Sequence, residues 1–125
     1  MIEVHSRICL NISRAERWEN ERKAANDDDI LTCASYVCGC TDLVTPNRKR
    51  DVVTARMIAM AYIRRNKTYS LHKIAAIFGK DHATVLHSVR KYNDLIEIRD
   101  KPVIEMRDRF LSKLKEISPT AICVI

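Results

Sequence analysis

Residues 70–91 read SLHKIAAIFGKDHATVLHSVRK. Ser70 is a favoured helix cap, and Leu71, Ile74, Ala75 and Phe78 share one stripe of the helix it would start. Gly79-Lys80 interrupts the pattern. Asp81 then caps a second helix, expected to run to about Arg99, whose buried stripe is Val85, Val89, Tyr92 and Ile96. Two such helices joined by a turn of about three residues containing Gly make a helix-turn-helix. In that unit the second helix enters the major groove of a DNA duplex and offers its first residues to base edges. Asp81, His82 and Ala83 occupy that start, and Thr84, His87, Ser88 and Lys91 continue along a face opposite the valines. A carboxylate is repelled by phosphate, which leaves Asp81 two roles: capping the helix and accepting a hydrogen bond from a cytosine amino group.

The distribution of charge supports a polyanionic partner. The chain carries +6 in all, but between Pro46 and Lys91 eleven basic residues face only Asp51 and Asp81, a local excess of +9. A concentration of that kind is an electrostatic footprint for nucleic acid. With 46% hydrophobic residues and only 2 Gly and 3 Pro, the 125 residues fit one helical domain with a modest core rather than a sheet built on tight turns.

Several function classes are disfavoured. The longest apolar run, Met57 to Ile63, is too short to span a bilayer, and the first residues do not resemble a signal peptide. No membrane association is expected, and the expected location is the cytoplasm, with the nucleoid. Cys123 stands third from the last residue, one place off the prenylation pattern. Five cysteines without an export signal point to reduced thiols. The spacing of Cys33, Cys38 and Cys40 does not match zinc knuckles, so buried thiols are expected and no metal. His5, His72, His82 and His87 lack cysteine or carboxylate neighbours at catalytic spacing, so no enzyme activity is expected. No GxxxxGK[ST] occurs, so no nucleotide cofactor is expected either.

Around the central unit, Ser13-Arg14-Ala15-Glu16 forms a capping-box pattern ahead of a charged helix from about Arg14 to Asn26, with Trp18 on it. Asp27-Asp28-Asp29 either ends this arm or caps a short apolar helix from Ile30 to Val37, which breaks at Gly39. Thr41 to Val44 suggests one helical turn before the polar TPNRKR connection. A helix over Val52–Asn66 follows. Asp100, with Pro102 in the first turn, starts a last helix with the stripe Val103, Arg107 (its stem), Phe110, Leu114 and Ile117. The expected organisation is an arm over 1–29, a helix-turn-helix domain over 30–99 and a C-terminal helix and tail over 100–125. The fold class is all-α, a bundle of about five to six helices.

Arg56 to Met60 (RMIAM), Ser70-Leu71 with Ile74, Phe78-Gly79, and above all Asp81-His82-Ala83-Thr84-Val85-Leu86-His87 resemble the C-terminal DNA-binding domain of the bacterial replication initiator DnaA. The resemblance runs from about Ile30 to Lys91 and takes in Asp42-Leu43-Val44 and Arg48-Lys49-Arg50. It implies base contacts in the major groove from Asp81, His82 and Ala83, and an arginine in the adjacent minor groove at Arg48, with Arg50 nearby. It implies phosphate contacts at Arg56, Arg64, Leu71 (through its backbone), Lys80, Thr84 and Lys91. His87 joins these from its place on the same helix face. Double-stranded DNA is the implied partner, bound by a monomer at an asymmetric DnaA-box-like site, in regulation of replication initiation or of transcription. The chain would act as the DNA-binding piece standing alone, without the family's ATPase domain.

Two departures from the family's pattern bear on the target sequence. The Gly79-Lys80 turn is one residue shorter, which alters the angle of the second helix. Ala83 stands where the family has threonine; it keeps an apolar contact with a thymine methyl but cannot hydrogen-bond. A second reading makes the chain a protein-interaction module that binds a replication component through residues 1–29 and the last helix, with Trp18 and Asp27–Asp29 as anchors.

Overall fold

The computed structural model describes residues 23–40, 43, 49–123 and 125. The arm helix expected before Lys23, with Trp18, lies outside the described residues, as do Arg48 and, apart from Leu43, the turn expected over Thr41–Val44. The described residues are all-α, with five helices and no strand. We number them α1 (Asp27–Cys38), α2 (Arg50–Asn66), α3 (Leu71–Phe78), α4 (His82–Glu97) and α5 (Lys101–Ile117). No helix among the described residues is long and apolar enough to cross a membrane.

Local chemistry explains where most of these helices start. Ser70 Oγ accepts from the Lys73 N–H (3.1 Å), Asp81 Oδ1 from the Thr84 N–H (2.7 Å) and Asp100 Oδ2 from the Val103 N–H (3.3 Å). Each cap satisfies a first-turn donor that the helix itself cannot. The arm helix expected through Asn26 does not extend that far. Lys23 to Asn26 are non-helical, and Asn26 Oδ1 caps α1 by accepting from the Asp29 N–H (2.8 Å). That choice puts Asp27, Asp28 and Asp29 in the first turn of α1, where the positive end of the helix dipole favours carboxylates.

Three of the helices end in a left-handed residue. Gly39 (φ 70°) closes α1 and Gly79 (φ 65°) closes α3. The end of α4 is unlike these, because Arg99 takes φ 59° there. Its N–H bonds the Ile96 carbonyl (3.0 Å) while the Asp100 N–H bonds that of Leu95 (2.9 Å). This pair of bonds is the Schellman closure, formed here without the residue type that adopts it freely. The helix expected to run to about Arg99 therefore stops at Glu97, and Arg99 turns the chain into α5.

The centre of the bundle is α2, in which eleven of 17 residues are buried. A helix apolar on nearly every side must sit inside the bundle, and each of the other four helices packs against α2. From α1 come Ile30, Cys33, Ala34 and Val37, and from α4 come Val85, Val89 and Tyr92. On α5 the buried stripe is Val103, Met106, Phe110 and Leu114, with Met106 taking the place expected for the Arg107 stem. Arg107 instead stays at the surface and pairs with Asp108 at 3.1 Å. Burial pushes the Cys33 thiol up to about 11, which keeps it protonated and unreactive at neutral pH.

Tyr62 ties the ends of the described chain to α2. Its ring meets Phe110 edge-on, with centroids 6.0 Å apart. Its hydroxyl donates to the Ile122 carbonyl (2.6 Å) and accepts from the Ala25 N–H (3.3 Å). The Ile122 N–H completes the junction by bonding the Lys23 carbonyl. Nearby, Lys67 Nζ lies 2.7 Å from Asp27 Oδ1, and the Tyr69 hydroxyl donates to the same carboxylate. Arg109 Nη2 donates to the Val37 carbonyl (2.7 Å), serving one of the C-terminal acceptors that α1 leaves open.

Two expected outcomes follow from these contacts. Arg99→Gly relieves the left-handed strain and raises stability by about 0.5–1 kcal/mol after the added freedom of the unfolded chain is discounted. A higher urea midpoint with an unchanged slope is the sign of it. Tyr62→Phe leaves a donor and an acceptor unpaired and costs about 1–3 kcal/mol. Burial pushes the Tyr62 hydroxyl up to about 12, whereas an unfolded tyrosine titrates near 10. The native state therefore holds a proton that the unfolded state has lost, and the stability from Tyr62 declines as pH rises from about 10 to about 12. Urea titrations across that range should show a smaller alkaline decline in Tyr62→Phe than in the parent.

Candidate nucleic-acid interface

The second helix of the motif, α4, is held from behind. Val85 and Val89 are fully buried and Tyr92 is 2% exposed, so the face they occupy fixes the rotation of the helix about its axis. The opposite face is then dictated by 3.6-residue periodicity. Asp81, His82, Ala83, Thr84, His87, Arg90 and Lys91 are all exposed, and Ser88 is partly so. Leu86 is half-buried.

Asp81 is committed to its cap. The hydrogen bond from Thr84 holds its carboxyl below the usual carboxylate range, so it is ionised at neutral pH. One oxygen, Oδ1, serves the Thr84 N–H. The other remains able to accept from an amino group in the groove.

The start of α3 comes to the same place. The rings of His72, in the first turn of α3, and His82, in the first turn of α4, have centroids 4.4 Å apart at a 42° tilt. Beside them Lys73 Nζ stands 3.8 Å over the Tyr69 ring. Leu71 is half-buried as the first residue of α3, where a helix start presents backbone N–H groups to an anion. Between the two helices, Lys80 is half-buried and its N–H returns to the Ala75 carbonyl (2.9 Å).

Arg50 begins α2 and is exposed. With Lys91 it lines a cleft of about 280 Å³, floored by Met57, Leu95 and Met106. The structure thus joins Arg50 to the far end of the α4 face through Lys91. Arg48 lies outside the described residues.

Two basic residues of the expected footprint turn inward. Arg56 is 8% exposed, and its Nε donates to the Leu43 carbonyl at 2.8 Å. It ties Leu43 to α2, a structural role that the sequence did not announce. Lys67, 6% exposed, is neutralised by Asp27. Arg64 is half-buried on α2. Three exposed cations, Lys49, Lys73 and Arg90, were not among the site residues expected from the sequence. Arg90 follows Ala83 and His87 at spacings of four and three, the same stripe, and that periodicity was the available signal.

Residues 31–91 match the family model described as the bacterial dnaA protein helix-turn-helix. The chromosomal replication initiator protein DnaA of Bacteroides thetaiotaomicron is 43% identical over 83 residues, which cover 63% of this chain and 17% of that protein. The protein of the same name from Bacteroides fragilis is 37% identical over 100 residues, 78% of this chain and 20% of the relative. That of Oenococcus oeni is 38% identical over 112 residues, 87% of this chain and 23% of the relative. The chain thus spans about a fifth of the length of these curated relatives. No solved structure matches it significantly. Residues 31–91, which hold α3, the turn and α4 as far as Lys91, place this part of the chain in the bacterial DnaA helix-turn-helix family.

Proposed function

We propose that this chain binds double-stranded DNA at a DnaA-box-like sequence, as a monomer and without catalysis, and regulates replication initiation or transcription through that binding. One observation carries the reading. The start of α4 presents His82, Ala83 and Thr84 to solvent while Val85 and Val89, on its back, are fully buried. A helix so fixed meets the groove with reading side chains already in place, which lowers the ordering cost of binding. His82 and Ala83 contact base edges, with the Asp81 carboxylate able to accept from a cytosine amino group. Thr84, His87, Lys91, Lys80 and the backbone of Leu71 lie against phosphates. Arg50, with Arg48 ahead of it, reaches the strand beside the minor groove. Arg64 adds positive potential from α2, and Arg56 acts by holding the Leu43 carbonyl.

The test is selection of bound duplexes from a random pool at physiological salt. A recovered motif supports base readout, whereas retention of unrelated sequences alone would leave only electrostatic attraction. On the recovered duplex His82→Ala should cost about 1–3 kcal/mol and leave a scrambled duplex unaffected. Lys91→Ala should weaken both alike and lower the salt slope of log K by about 0.9. Arg56→Ala differs from both. It unpairs a buried carbonyl, so thermal or urea unfolding of the DNA-free protein should show a loss of about 1–3 kcal/mol. Equal losses on both duplexes for His82→Ala would count against base reading.

A further inference from the structure

The contact between His72 and His82 is a feature of this surface that neither capping nor core packing requires. Both residues are exposed, yet their rings stand 4.4 Å apart at a 42° tilt. The two belong to different helices and lie ten residues apart in sequence. We infer that His72 is a positioning residue for base reading: its ring backs the His82 imidazole and limits the directions in which that imidazole can point. The inference rests on the proposed reading of bases by His82.

The physical case begins with side-chain freedom. An imidazole in the first turn of an exposed helix samples several rotamers, and binding must select one of them. A second ring at contact distance removes some of those rotamers before DNA arrives. His72 suits that task because its backbone belongs to a capped and partly buried helix. Ser70 caps α3 immediately ahead of it, and Ile74, Ala75 and Phe78 bury the helix directly after it. The neighbouring Lys73 is engaged with the Tyr69 ring. A rigid residue of α3 thus braces a reading residue of α4.

A plain alternative is that His72 touches DNA by itself. The two accounts differ in coupling, because a brace has no effect once the braced ring is gone. Affinities of the parent, His72→Ala, His72→Phe, His82→Ala and the double alanine variant should be measured on the duplex recovered by selection and on a scrambled one. His72→Ala is expected to weaken the selected duplex about two- to tenfold, the range for ordering one side chain, and to leave the scrambled duplex unchanged. His72→Phe, which keeps a flat ring in place, restores affinity to within about twofold. In the His82→Ala background, His72→Ala adds no further loss. In the DNA-free protein, NMR should show the His82 ring protons shifting when His72 becomes alanine, through loss of the neighbouring ring current.

Contrary outcomes separate the two levels of argument. A full additional loss in the double variant, an equal loss on both duplexes, or unmoved His82 ring protons overturns the positioning role and leaves base reading intact. No effect of His82→Ala on the selected duplex, or failure to recover any motif, removes base reading and this inference with it.

Discussion

Burial of α2 on nearly every side is the constraint from which the surface geometry follows. Its residues from Ala55 to Ile63 are buried without interruption, so no face of the helix is free to tilt toward solvent. α3, α4 and α5 all pack against it. The angle at which α4 meets a duplex is therefore a property of core packing, and interiors packed at crystal-like density resist small rotations. The side chains that would read bases contribute little to this framework. Asp81 is the exception, since it begins the helix as well as facing the groove.

Several polar groups inside the bundle hold segments that lie between or beyond the helices. Arg56 serves the carbonyl of Leu43, Lys67 the carboxylate of Asp27, and Tyr62 the backbone at Ala25 and Ile122. Segments without regular structure cannot satisfy their own backbone, and a buried orphan costs more than a typical hydrogen bond returns. Placing Arg56 and Lys67 inward also sharpens the surface field. Among residues 49–91 the exposed cations are Lys49, just ahead of α2, and Arg50, Lys73, Arg90 and Lys91 on α2, α3 and α4, the helices that form the proposed interface. The inward pair contributes to the formal charge of the segment far more than to what a duplex would meet.

How much of this was legible in the sequence depended on the range of the interaction. Ser70, Asp81 and Asp100 announced their helices because a cap is a contact between residues three apart, and the structure starts each helix where they stand. The three aspartates before Ile30 were ambiguous, since acidic residues suit both a chain end and a first turn; Asn26 as the cap resolved it. On α5 the choice between Met106 and Arg107 was undecidable from periodicity, because both lie at helical spacing from Val103 and Phe110. The position of α1 and α2 decides it. The left-handed turn at Arg99 had no signal at all, because arginine carries no preference for that conformation. The first turns of α4 were readable, Arg90 on the exposed face and Asn93 on the buried one were missed, and the inward turn of Arg56 depended on a carbonyl thirteen residues away.

The junction between α3 and α4 shows why a shorter turn need not weaken the interface. Gly79 is bound into the end of α3, and Asp81 into the start of α4, which leaves Lys80 alone between them. Even the Lys80 N–H bonds back to α3, at Ala75. Each end of the turn is thus held by hydrogen bonds to its own helix, and packing between α3 and α4 fixes how the two helices are related. Reading positions such as Ala83 can then vary in chemistry while the approach to the groove stays the same. In the proposed function, the turn and α2 determine how the protein arrives, and the exposed residues at the start of α4 determine what it recognises.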